Sequence, residues 1–199
     1  MRIRKSLFVA MILLLIPLAS CTPQMSLLPW YNDKDLVLEP GFAGNWLSVD
    51  DKGKTEEGGE WTFAQDIKQG YTISLLDDSQ PDVKSSWEVR LFRVNGQLFV
   101  DAVQQQTKYK DSEVLELFIP GHMVGTAKLA GDSLSLRFLD DEWTDKALKA
   151  NPALIKHEMV DMDDAVLVAS TADLREFALT HYSDSKAFAV KFDFVRKKN

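Results

Sequence analysis

Between Gly44 and Asp140 the chain alternates apolar and polar side chains in short runs, each ended by a turn. Trp61 and Phe63 form one such run, and Tyr71, Ile73 and Leu75 the next. Trp87, Val89 and Leu91 follow, then Leu98 and Val100, then Leu115, Leu117 and Ile119, then Leu134, Leu136 and Phe138. Successive side chains of a strand point to opposite faces, so period-two alternation marks sheet with one face buried. The connections carry turn chemistry. Asn95-Gly96 matches a two-residue hairpin turn, which needs positive φ at both positions, and Gly131-Asp132 reads the same way. Asp77-Asp78-Ser79-Gln80-Pro81 and Asp50-Asp51-Lys52-Gly53 are looser turns. Connections this short require an antiparallel meander, because parallel pairing needs a crossover of a dozen or more residues.

Two helices interrupt the C-terminal third. The first spans about Asp141 to Ala150, with Asp140 or Asp141 as cap and Asn151-Pro152 as stop. The second begins at Ser170. Ser170 and Asp173 are spaced like a capping box, and Leu174, Phe177, Ala178 and His181 recur on one helical face. Lys156 to Val160 and Ala165 to Ala169 read as strands joined by Asp161-Met162-Asp163-Asp164. In the last strand Phe188, Val190, Phe192 and Phe194 share a face. Pairing that strand with the start of the meander would remove the exposed edges of an open sheet. The fold class is therefore mainly β (α+β): a meander closing into a barrel or strongly curved sheet, with two short helices.

The N-terminus is of a different kind. Arg2, Arg4 and Lys5 precede an almost wholly apolar run from Ser6 to Leu18. That run is shorter than the roughly 20 residues of a spanning helix and has the length of a signal-peptide core. Leu18-Ala19-Ser20-Cys21 closes it and resembles the bacterial lipoprotein lipobox. The resemblance implies cleavage before Cys21, the sole cysteine, and diacylglycerol on its thiol. Thr22 follows where an Asp would, in such families, retain the protein in the inner membrane. The implied address is the outer membrane, facing the periplasm. Residues 1–20 are then a leader, 21–40 a lipidated cysteine and tether, and 41–199 a single domain. Leu27-Leu28-Pro29-Trp30-Tyr31 inside the tether is an apolar cluster, read either as a membrane- or partner-facing patch or as a cover for one end of the domain. Without Arg2, Arg4 and Lys5 the net charge falls from −7 to −10. Such a surface does not fit nucleic acid or anionic lipid.

Gly44-Asn45-Trp46, opening the first strand, resembles the lipocalin Gly-x-Trp signature. That likeness implies that Trp46 plugs the closed end of an eight-stranded barrel and that an Arg of the last strand, here Arg196, stacks on it. The helix after the meander, followed by further strands, departs from the lipocalin order. The mature chain is also similar to uncharacterised bacterial lipoproteins. It shares with them the Gly-x-Trp start, Arg90-Leu91-Phe92-Arg93-Val94-Asn95-Gly96, Leu139-Asp140-Asp141-Glu142-Trp143, Asn151-Pro152, His157-Glu158 and Ser170-Thr171-Ala172-Asp173-Leu174. That likeness implies no activity.

The sequence names no catalytic or metal-ligating residue and no cofactor. His157-Glu158-Met159-Val160-Asp161 lacks the second His of a zinc helix and reads as strand. Asp161 to Asp164 lacks the Gly and Glu of a calcium loop. His122, His157 and His181 are scattered. Asp140 and Glu142 read as complements to a helix dipole. Three readings follow. The leading one is a non-catalytic envelope scaffold or accessory protein with a filled barrel. The second is a lipocalin-type module for a small apolar or amphipathic ligand, walled by Trp46, Trp61, Phe63 and Trp87. The third is a hydrolase. Cavity volume separates the first two, since eight strands suffice either to be filled or to hold one small ligand.

Overall fold

The computed structural model describes residues 22–76, 86–105, 120–160 and 164–198. The leader with Cys21, the turn at Asp77–Pro81, the expected strand over Leu115–Ile119 and the acids Asp161 and Asp163 lie outside the described residues.

Eight strands close into an antiparallel barrel of lipocalin-like form. In chain order they are β2 (Gly44–Val49), β3 (Thr55–Gln65), β4 (Tyr71–Leu76), β5 (Ser86–Val94), β6 (Gln97–Gln104), β7 (His122–Ala130), β8 (Ser133–Phe138) and β11 (Val190–Arg196). Each pairs with the next, and β11 closes the ring by pairing with β8 on one side and β2 on the other. The Asn95-Gly96 turn behaves as the sequence predicts, whereas at Gly131-Asp132 only the glycine takes positive φ. Asn95 and Gly96 both take positive φ, at 50° and 81°, between β5 and β6. Gly131, at φ 58°, turns β7 into β8.

Inward positions build the barrel core. Phe63, Ile73, Val89, Leu91 and Val100 are all buried there, as are Leu134, Leu136 and Phe194. The outward face of β5, β6 and β7 is buried as well. Phe92, Phe99 and Val124 meet a second apolar cluster built from Leu148, Leu174, Phe177 and Phe188. Helices α1 (Asp141–Ala150) and α2 (Thr171–His181) therefore pack on the outside of the barrel. The Asp140 carboxylate accepts the Trp143 N–H at 2.7 Å. The Ser170 hydroxyl accepts the Asp173 N–H at 3.3 Å and donates to its carboxylate at 2.7 Å, an N-cap whose acid bonds the capping hydroxyl instead of the Ser170 backbone N–H of a capping box.

The N-terminal segment docks on the domain, and of the two readings of its apolar cluster the buried Trp30 fits the cover. From Pro23 onward it is bound to the fold. Pro23 bridges to Asp140, and the Gln24 N–H donates to the Leu139 carbonyl at 2.8 Å. β1 (Met25–Ser26) then pairs with the start of β7, antiparallel, and with β10 (Ala165–Leu167), parallel. β9 (His157–Met159) completes this side sheet against β10. Trp30 is fully buried in the outer cluster and its N–H donates to Asp101. A two-residue strand carries no periodicity, and its partners are over 90 residues away, so the docking has no local signature.

The last strand needs a correction. Val190 and Phe194 are buried in the barrel core, but Phe188 precedes the strand and is buried in the outer cluster, so it does not share their face, and Phe192 is 38 % exposed. Alternation places Phe192 on the inward face correctly. It cannot show that the residue stands at an open end of the barrel.

Candidate functional site

The barrel has a closed and an open end. At the closed end Trp46 is wholly buried, and its Nε1–H donates to the Phe42 carbonyl at 3.0 Å. The Arg196 guanidinium lies 4.2 Å from the Trp46 ring centre and donates to the carbonyls of Ala43, at 3.2 Å, and Gly41. Phe42 packs on Tyr71 and Phe63 with ring centres 4.7 and 5.3 Å apart, filling this half of the barrel.

Above that plug the barrel is hollow. A cavity of about 340 Å³ lies between Trp61, Phe63 and Trp87 on one side and Val100, Leu136 and Phe138 on the other. Trp61 and Trp87 face each other across β3, β4 and β5, with ring centres 5.5 Å apart. Ala102 also lines the cavity, and its small side chain leaves space that a larger residue would take. The mouth is formed by Thr22, Pro23, Met25, Gln104 and Phe192. Among the described lining residues none is ionisable, and Thr22 and Gln104 alone carry hydroxyl or amide groups. Such a wall suits an apolar body, with a polar end left at the mouth.

Three of the four expected wall residues, Trp61, Phe63 and Trp87, line this cavity. As a wall residue Trp46 is the correction: it stands in the plug with Arg196 over its ring, where the Gly-x-Trp resemblance puts it. It pairs with Trp61 across β2 and β3, but the Phe42 carbonyl and the Arg196 stack draw its ring into the plug. Alternation tells that a side chain points inward, not which end of the barrel its ring fills. Met25, Pro23 and Phe192 have no warning in the sequence pattern beyond the apolar character of the last strand.

Among the described residues, Asp101, His122 and His157 bond within the scaffold. Asp101 is almost fully buried on the outer face of β6, where its two oxygens meet His122 Nδ1 at 2.8 Å and the Trp30 N–H at 2.9 Å. The bond from the Trp30 backbone N–H fastens the N-terminal segment to the barrel, and the His122 contact joins β6 to β7. Ser26 is near, but its hydroxyl donates to the Leu28 carbonyl and not to the imidazole. His157 stands on β9 and donates Nδ1–H to the Ile155 carbonyl at 2.9 Å. His181 packs between Trp143 and Phe177, and burial lowers its pKa. Among the described residues no three side chains of the metal-ligating types come together. Beside the mouth, burial raises the Asp141 carboxyl above the usual range, helped by Asp140, Asp145 and Asp164 and opposed by the Glu142 N–H. On the opposite flank burial also pushes Asp193 up, but bonds from Arg137, Lys191 and Ser135 outweigh it and hold the carboxyl low.

Among the described residues no helix is long and apolar enough to cross a membrane. Compared with protein-family models, with curated proteins and with solved structures, the chain has no match.

Proposed function

We propose that this protein is a binding module for one small apolar or amphipathic molecule, held at a bacterial envelope membrane by lipid on Cys21. The observation that carries the binding reading is the open apolar cavity above the Trp46 plug. Its volume lies near the lower end of the roughly 300–1,000 Å³ usual for small-ligand sites. A scaffold that used only its outer face would have no need of a hollow barrel, and a wall whose described residues carry no ionisable group supports binding over catalysis.

The wall is tested by filling it. Ala102→Phe puts an aromatic ring into the cavity from the middle of the barrel. Native mass spectrometry of the full-length protein, extracted gently from its own membrane, should show one small molecule that leaves on collisional activation. The Ala102→Phe protein should melt normally and fly without it. Identical bare masses for both proteins would sink the binding reading.

The anchor is tested separately. Each buried methylene contributes about 0.8 kcal/mol, and two or more acyl chains hold a protein stably. Cys21→Ser should therefore move the protein out of the detergent phase on phase separation. A serine variant that still takes up labelled acyl chains would refute lipidation at Cys21.

A further inference from the structure

We propose that the open end of the barrel rests on a lipid bilayer and that its cavity takes a single acyl chain from that bilayer. The acyl-chain assignment deepens the binding reading above, and the bilayer contact stands on separate observations.

The first is the rim. Met25, Leu27 and Leu28 are each between 44 and 47 % exposed, and Phe192 is 38 % exposed. Met25 and Phe192 line the mouth itself. β1 runs antiparallel to β7, with Met25 opposite Met123 and Ser26 opposite His122. Leu27 and Leu28 therefore continue outward, past the first residue of β7. Among the described residues, two large apolar side chains, Met25 and Phe192, thus stand at the mouth of an apolar cavity, and Leu27 and Leu28 follow Met25 in the chain. A cluster of this kind, unlike apolar residues scattered singly, marks an interaction surface.

The second is the chain that precedes the rim. Thr22 lines the mouth, and its carbonyl accepts the Asp141 N–H at 3.1 Å. The Gln24 side chain donates to the Ala165 carbonyl at 2.7 Å. The segment is therefore fixed from its first described residue and has no slack. Cys21 is one residue away, about 3.8 Å between Cα atoms. Whether the apolar run Ser6–Leu18 is kept or acyl chains on Cys21 replace it, the membrane-bound element joins the fold at the mouth.

The third is charge. The protein is acidic, and Asp50, Asp51 and Glu56 lie on the flank of the mouth away from β1. Among the described residues these acids outnumber the one cation beside them, Lys191, which is paired with Asp51, so we take the contact to be hydrophobic and tilted toward the β1 side. The occupant is then a bilayer lipid with one chain inside the apolar wall and its polar end near Gln104 and Thr22.

Ile67 supplies a control. It is fully exposed in the β3–β4 turn, at the closed end, and equally apolar. Full-length protein carrying a nitroxide at Leu28→Cys or Ile67→Cys is placed in phosphatidylcholine vesicles, with the unsubstituted chain setting the background from Cys21. The ratio of collisions with oxygen to collisions with a water-soluble nickel chelate should be several-fold higher at Leu28 than at Ile67. Equal ratios overturn the bilayer contact, even if a ligand is still found by mass spectrometry. In vesicles of phosphatidylcholine brominated along its chains, tryptophan emission should be quenched, and Ala102→Phe should remove most of that quenching. The same quenching in both proteins overturns the acyl-chain assignment while leaving the rim contact standing.

Discussion

A chain ended after Ser185 should not fold. It lacks β11, which pairs with β8 at six positions and with β2 at four. Without it the barrel opens between β2 and β8, and both strands present unpaired N–H and C=O groups at an edge. The loss also strips both apolar clusters. Phe188 belongs to the outer one, Val190 and Phe194 to the barrel core. Each fully buried side chain of this kind contributes about 1.5–3 kcal/mol, so three remove roughly 5–9 kcal/mol. Native domains are stable by only about 5–15 kcal/mol. The truncated chain should show no cooperative melt and should aggregate. A sharp transition at the temperature of the full-length protein would refute the closing role of β11. Within that strand the weight rests on Phe194, which stacks edge-on against Trp61 and Phe63, and not on the half-exposed Phe192.

That contrast shows where the sequence stops being informative. Alternation and turn residues identify the strands, and Asn95-Gly96 fixes a register, because both signals are local. The caps at Asp140 and Ser170 place both helices for the same reason. Height along the barrel axis is not in the alternation. Trp46 and Phe192 both point inward, yet one ends in a sealed plug, which the Gly-x-Trp resemblance alone implied, and the other at an open mouth. Hollowness is still less legible. It depends on Ala102 standing among the large residues of neighbouring strands, a sum over the whole barrel. The outer cluster is hidden too, because a strand buried on both faces reads as an apolar run. Phe92 and Phe99, stacked with ring centres 5.4 Å apart, belong to such runs. The buried Asp101 had only a faint sign, a lone acid between Val100 and Ala102.

Replacing Trp46 by Ala should cost about 3–5 kcal/mol, the usual range for emptying a large aromatic site in a core. The ring is fully buried and packs against Phe63 with centres 6.2 Å apart. Its removal also strands the Phe42 carbonyl, which loses the indole N–H. Arg196 loses the ring beneath its guanidinium, an interaction worth about 0.5–2 kcal/mol according to exposure. The chain is shaped for that guanidinium. Gly44 adopts φ +138°, and a Cβ there would lie 2.4 Å from Arg196 Nη1. Only glycine lets the arginine lie across the strand start to reach the Gly41 and Ala43 carbonyls. Arg196→Lys should therefore destabilise as well, since a lysine offers neither the planar stack nor the fork of donors. Urea unfolding of Trp46→Ala, Arg196→Lys and the double variant measures the coupling between them. The two losses should be less than additive, because removing the ring already removes what the arginine stacks upon. Additive losses, or a Trp46→Ala cost below about 1 kcal/mol, would mean that the indole is filler and that the closed end is held by Phe42 and Tyr71 alone.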